Sequence, residues 1–247
     1  MVTIGFPFTE LASIDSTNNY AMAMAHEGLA THGAAFFAHE QTAGKGQLGR
    51  QWKTTALENI MLSIVLKPSG LPVSRQFFLS AAIAAGCYDF FKKYAIDDVA
   101  VKWPNDIYWR DRKAGGILIE NVLSGNNWQY AIVGIGLNIN QTVFAEGVTN
   151  PVSLKQITGK TFPTVEMAKE LCACLQQRYD LLFSAPLQET LDNYNAILYK
   201  KGQKVKLRKD IAVFETIIKG VNEQGRLMTF DTMEREFSLG EVTWEIR

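Results

Sequence analysis

The chain has 247 residues, 47% of them hydrophobic and 20% charged, a globular composition that excludes a disordered or fibrous chain. At roughly 150 residues per domain, this length fits one large domain or a large one plus a small one. Its 25 Lys+Arg balance its 25 Asp+Glu, which argues against bulk binding of nucleic acid or a membrane surface by long-range attraction and leaves a local basic patch open.

In chain order, Asp15-Ser16-Thr17 precedes a helical pattern over Asn18–Glu27 that Gly28 ends. Ala34–His39 reads as a buried strand, residues 41–55 as a loop with three glycines, and Asn59–Leu66 as a strand closed by Pro68. The Ala-rich run Pro72–Tyr94 predicts a buried helix. Strands are expected at Val99–Lys102, Asp106–Trp109, Gly116–Leu123 and Trp128–Ile139, the last two joined by a turn at Gly125-Asn126-Asn127. Helices fit Thr164–Phe183 and Leu187–Leu198. After Tyr199 the pattern becomes short strands: Lys204–Leu207, Val213–Lys219, Arg226–Thr229, Glu236–Leu239 and Val242–Ile246. Gly220, Gly225 and Gly240 punctuate them, as in a small barrel. The boundary at 199/200 predicts two units, 1–199 and 200–247. Cys87, Cys172 and Cys174 form neither a disulfide framework nor a metal-ligand pattern, and read as free thiols of a reducing compartment. No signal peptide or membrane-spanning run is visible, which predicts a cytoplasmic protein without a membrane partner.

Four strings can carry chemistry. Gly44-Lys45-Gly46-Gln47-Leu48-Gly49-Arg50 matches G-x-G-x-x-G, but neither a helix nor an acid about 20 residues on follows it, so a dinucleotide site is not indicated. Lys45, Arg50 and Lys53 make the loop cationic, and no Asp or Glu lies between Glu40 and Glu58. Such a loop is either a phosphate or carboxylate clamp or a solvated surface loop. Lys102-Trp103-Pro104-Asn105-Asp106 is either a turn beside a core tryptophan or a site. Lys113-Ala114-Gly115-Gly116 puts an ammonium beside bare backbone, or is a hairpin tip. Gly134-Ile135-Gly136-Leu137-Asn138 has two glycines in a strand, a sign of close approach by a ligand or another backbone.

In this order, and with Ser16-Thr17-Asn18 and Gln41-Thr42-Ala43-Gly44 ahead of them, these strings resemble the biotin protein ligases, or biotin–[acetyl-CoA-carboxylase] ligases, over about residues 11–140. The resemblance implies an α+β fold. A mixed sheet carries helices mainly on one face, the class II synthetase-like fold of biotin and lipoate ligases, and a small SH3-like barrel follows. It implies that biotin and ATP form biotinyl-5′-AMP, with Mg²⁺ as the accompanying ion, and that biotin then passes to a lysine of a biotin carboxyl carrier domain. Catalysis would rest with Lys113, Arg50 and Asp106. Biotin would be held by Ser16, Thr17, Asn18, Gln41, Lys45, Gly46, Gln47, Lys113, Gly115 and Gly116. ATP would be held by Lys45, Arg50, Trp52, Asn105, Lys113 and Asn138, and Mg²⁺ by Asp106. Many relatives read G-R-G-R-x-G-R where this chain has Lys45 and Gln47, which predicts a weaker grip on the adenylate. Ser16 lies too near the first residue for the DNA-binding domain some relatives carry, so no DNA partner is expected. Pairing through the sheets, as in other members, would give a homodimer. A lipoate–protein ligase and a non-catalytic biotin or nucleotide sensor are the competing readings. The first lacks its Gly-Gly-Gly and His-Asp strings here, and Lys113 and Asp106 argue against the second.

Overall fold

The computed structural model describes residues 3–125, 127–145 and 150–245; Asn126 of the predicted turn and Ile246 of the last predicted strand lie outside them. The elements are β1 (Phe8–Leu11), α1 (Thr17–His26), β2 (Ala35–Ala38), β3 (Asn59–Leu66), α2 (Gln76–Ala95), β4 (Val99–Lys102), β5 (Asp106–Trp109), β6 (Arg112–Ser124), β7 (Asn127–Asn138), α3 (Leu154–Thr158), α4 (Thr164–Ser184), α5 (Leu187–Ala196), β8 (Lys204–Lys209), β9 (Ala212–Val221), β10 (Leu227–Phe230), β11 (Glu234–Phe237) and β12 (Thr243–Trp244). Seven strands form one mixed sheet in the order β1-β2-β3-β7-β6-β5-β4. Only β1 and β2 run parallel; the other pairs are antiparallel.

The sheet buries two different faces. From β3, Ile60, Leu62, Ile64 and Leu66 join the large core under α2 and α4, where Phe78, Phe90, Phe91 and Leu171 pack. The period-2 alternation sends Val65 to the opposite face, where Phe36 and Ile132 receive Ala21 and Ala25 of α1. Small residues set these distances. A Cβ at Gly86 of α2 would lie 2.9 Å from Leu175 Cδ2 and 3.1 Å from its Cα, so the glycine lets α2 and α4 cross closely. The expected helix placement, mainly on one face, is what is found, and the free cysteines are all buried.

Three local expectations change. Ser16 holds the N-cap position of α1 but its side chain does not cap; instead Gln41 Oε1 accepts from the Thr17 N–H at 2.8 Å. The helix predicted from Pro72 begins at Gln76, after a 3₁₀ turn at Val73–Arg75. The sequence reading missed β1, a four-residue edge strand, and α3, a single turn closed by a Ser153/Gln156 capping box.

Residues from Lys204 onward form a five-stranded antiparallel sheet, order β11-β10-β9-β8-β12, whose end strands do not pair among the described residues. In its hydrogen bonding it is an open five-stranded sheet. Its Leu207, Ile218, Val221 and Leu227 share the core of the large sheet. Trp103 Nε1 donates to Gly225 O at 2.9 Å, and Asn195 makes a two-way amide pair with Val221. The K-W-P-N-D corner is thus pinned to the second sheet.

Candidate functional site

Register lines up one row of residues across the α1 face of the sheet. Met61 of β3 faces Gly136 of β7, Gly136 faces Gly116 of β6, Gly116 faces Asp106 of β5, and Asp106 faces Lys102 of β4. Directly opposed residues in antiparallel strands project to the same side, and strands lie about 4.8 Å apart, so the row is about 19 Å long. Ser63, Gly134 and Leu118 form a parallel row two residues along. The glycines at its centre leave bare backbone between a polar end and a charged end.

The polar end lies at the start of α1. Gln41 Oε1 also accepts from Thr17 Oγ1 at 3.0 Å, and Ser63 Oγ lies 2.7 Å from Thr17 Oγ1 and 2.6 Å from Asn18 Oδ1. Asn18 Nδ2 donates to Glu120 Oε2 at 2.7 Å. A Cβ at Gly134 would sit 2.3 Å from Asn18 Oδ1, so glycine there is a condition of this arrangement. Ser16, Thr17, Asn18 and Ser63 are all buried. A buried cluster of hydroxyl and amide groups suits a small polar ring whose own donors and acceptors replace those the chain now exchanges internally.

Over the centre lies the glycine loop. Trp52 N donates to Gly44 O at 2.9 Å and Gly46 N to Arg50 O at 2.7 Å, which folds residues 44–52 back on themselves. A Cβ at Gly44 would be 2.4 Å from Trp52 O. The Trp52 ring lies on Gly136, where a Cβ would be 2.5 Å from Cε2, and its Nε1 is buried without a hydrogen-bond partner. Lys45 reaches Glu120 at 3.8 Å.

At the charged end Lys113 Nζ lies 2.7 Å from Asp106 Oδ1 and 5.8 Å from the centre of the Trp52 ring. A Cβ at Gly116 would stand 3.3 Å from Asp106 Oδ1 and 3.5 Å from Lys113 Nζ, so the ammonium sits above bare backbone. Lys102 lies beyond Asp106. Burial pushes its pKa down to about 8; Asp106 opposes the shift, and Lys113 and Arg50 add to it. Among the described residues no three or more His, Cys, Asp or Glu gather as a metal site.

The structure thus brings Ser16, Thr17, Asn18, Gln41, Lys45, Trp52, Gly116, Lys113 and Asp106 to one face. Arg50 is close enough to act on Lys102. Three expected contacts serve the framework instead, and a fourth residue lies elsewhere. Asn105 extends the sheet, exchanging hydrogen bonds with Ile117 in both directions. Asn138 Nδ2 donates to Lys113 O and Val152 O and so fixes the strand that carries the lysine. Gly115 points away, where a Cβ would meet Leu137 Cδ2 at 2.3 Å. Gln47 lines a separate cleft of about 480 Å³ beside Phe77, Arg226 and Leu239. Sequence reading missed Ser63, Glu120 and Lys102. Ser63 was visible as the one hydroxyl in the apolar run Asn59–Leu66, and Lys102 opens the Lys102–Asp106 string without a role of its own there; Glu120 carries no signal without the register.

Known proteins resemble this chain in sequence and in fold. A family model described as "Biotin/lipoate A/B protein ligase family" matches residues 10–138. A biotin–[acetyl-CoA-carboxylase] ligase of Paracoccus denitrificans is 31% identical over 237 residues, 88% of this chain and 92% of that one. The bifunctional ligase/repressor BirA of Escherichia coli is 29% identical over 88% of this chain and 67% of its own. In fold, the biotin protein ligase from Aquifex aeolicus, solved with biotin and ATP, superposes with a TM-score of 0.81 at 24% identity, covering 97% of this chain and 98% of that one. The chain belongs to the biotin/lipoate A/B protein ligase family.

Proposed function

We propose that this protein is an ATP-dependent biotin–protein ligase. It joins biotin and ATP into biotinyl-5′-AMP with release of diphosphate, then transfers biotin to a lysine of a carrier domain such as that of acetyl-CoA carboxylase. The observation that carries this is the row itself: a buried hydroxyl and amide pocket at one end, the Trp52 ring over Gly136 at the centre, and Lys113 above the Gly116 backbone at the charged end. The biotin ureido ring needs buried partners, and Thr17, Asn18, Ser63 and Gln41 supply them. The carboxylate then points along the glycines toward Lys113. Adenine lies by Trp52, and the α-phosphate meets the carboxylate at the ammonium.

Two anions must come within bonding distance, so catalysis here is positioning and charge neutralisation. Lys113 bridges them; Asp106 orients Lys113 and is the carboxylate available to a magnesium ion. The carboxylate oxygen attacks phosphorus, the bond to the β-phosphate breaks, and diphosphate leaves with the electron pair. The acyl-adenylate is a mixed anhydride, so the carrier's amine needs no enzyme nucleophile. In this reading residues 1–199 are the catalytic unit and 200–247 close its charged end. The names of the curated relatives favour biotin over lipoate.

The test is mass spectrometry of a biotin-carrier domain incubated with protein, biotin and Mg·ATP. A mass gain of one biotin on one lysine is expected. No gain refutes the reading, and a gain only when lipoate replaces biotin establishes the lipoate ligase instead.

A further inference from the structure

We propose that Lys102, held by Tyr108 and by Trp244 of the second sheet, binds the diphosphate that leaves during adenylation. The inference rests on the ligase reading above and assigns a residue to its leaving group.

Lys102 is half-buried, and the carboxylate opposite it, Asp106, pairs with Lys113 instead, so among the described residues the Lys102 ammonium forms no ion pair or hydrogen bond. What holds it is aromatic: Nζ lies 5.0 Å from the centre of the Tyr108 ring and 5.5 Å from that of Trp244. The ring faces attract a cation without neutralising it. Trp244 adds a second open group, because its Nε1 is buried and also lacks a partner. Two donors of one box, one of them charged, therefore await an acceptor. Burying such groups unsatisfied is costly, and more so for a charge. An anion would satisfy both.

Position in the row selects the anion. The attacking and leaving groups of a phosphoryl transfer stand roughly in line on opposite sides of phosphorus. The carboxylate reaches Lys113 from the Ser63–Asn18 side, over β3 and β7. The leaving group must then depart across Asp106 toward β4, and the residue opposite Asp106 on β4 is Lys102. No proton has to move: the diphosphate takes the electron pair of the broken P–O bond, and the ammonium offsets its charge. The second half-reaction, attack of an amine on the finished adenylate, has no diphosphate and makes no demand on Lys102.

The test runs the first half-reaction backward, converting biotinyl-AMP and diphosphate to ATP and biotin. Lys102→Met keeps the stem and removes the charge. It should raise the KM for diphosphate at least tenfold while biotin binding, and transfer from supplied biotinyl-AMP to a carrier domain, stay within twofold of wild type. Lys102→Arg should restore most of the loss, and Trp244→Phe, which removes the N–H but keeps a ring face, should show a smaller rise. An unchanged KM for diphosphate overturns the proposal, as does an equal loss in both half-reactions, which marks a structural role. If Lys102→Met does not fold, labelling of Lys102 in the wild-type protein by an amine-reactive reagent decides: diphosphate should slow it, and no protection overturns the proposal. Failure of the wild-type protein to make biotinyl-AMP at all is the separate outcome that refutes the ligase reading.

Discussion

The indole of Trp52 rests on the backbone of Gly136, so closely that a methyl group at 136 would stand 2.5 Å from ring atom Cε2. A loop residue and a strand residue 84 positions apart thereby make one floor and wall of the site. Gly136→Ala must push the ring outward. Overpacking of this kind costs about 1–3 kcal/mol, mostly relieved because the loop can move, so the fold should survive. The KM for ATP should rise about tenfold or more with biotin affinity little changed. Steady-state kinetics with each substrate varied, together with a thermal melt, checks both halves of this expectation.

Ser63 joins Thr17 and Asn18. Ser63→Ala leaves their oxygens with one partner fewer in a buried place, a loss of about 1–3 kcal/mol. That corresponds to a roughly 5- to 150-fold weaker grip on biotin. Calorimetric titration with biotin in the absence of nucleotide should show it, and the KM for ATP should remain near its wild-type value.

The composition of the glycine loop predicts a leaky intermediate. Lys45 is a point charge shared with Glu120, and Gln47 is neutral. Gln47→Arg should slow the release of biotinyl-AMP from the protein in a filter or gel-filtration chase. Equal release rates for variant and wild type would remove the idea that these two residues set the retention of the adenylate.

Most of the fold, but only part of the site, can be read from the chain. Local signals placed α1, α2, α4 and all the long strands, because each rests on a period or a turn residue within its own segment. The motif strings contain Thr17, Gln41, Lys113 and Asp106, while Trp52 is expected only from the family resemblance. What cannot be read locally is register. Gly136, Gly116, Asp106 and Lys102 share a row only because β7, β6, β5 and β4 pair with particular offsets, including a bulge between Ile107 and Tyr108. Strand pairing likewise turns Asn105 and Gly115 away from the face their motifs suggested. Asn138 looks like a ligand contact in sequence, and becomes a brace for the Lys113 strand once Val152 is beside it.

The segment that leads into the second sheet is tied to the first sheet partly by charge. Asp111 accepts hydrogen bonds from Lys200 and Tyr199, which hold its carboxyl below the usual aspartate range. A depressed carboxyl stabilises the fold above its unfolded pKa, and that contribution disappears as pH falls through the folded value. Solvent screening keeps it under about 1 kcal/mol, since the carboxylate is half exposed. Asp111→Asn should therefore lower the melting temperature slightly at pH 6–7 and converge with wild type as the pH falls through the folded pKa of Asp111. A constant difference across that range would assign the effect to packing instead.

The central claim is that Lys113, set above Gly116, brings a carboxylate and a phosphate together. Diphosphate release that requires both biotin and ATP, measured for wild type and Lys113→Ala under single-turnover conditions, tests it most directly. The expected result is formation of biotinyl-AMP by wild type and a fall of about 10²–10³-fold in the variant, whose melting temperature stays close to wild type. A folded Lys113→Ala protein that makes the adenylate at near wild-type rate would contradict the account.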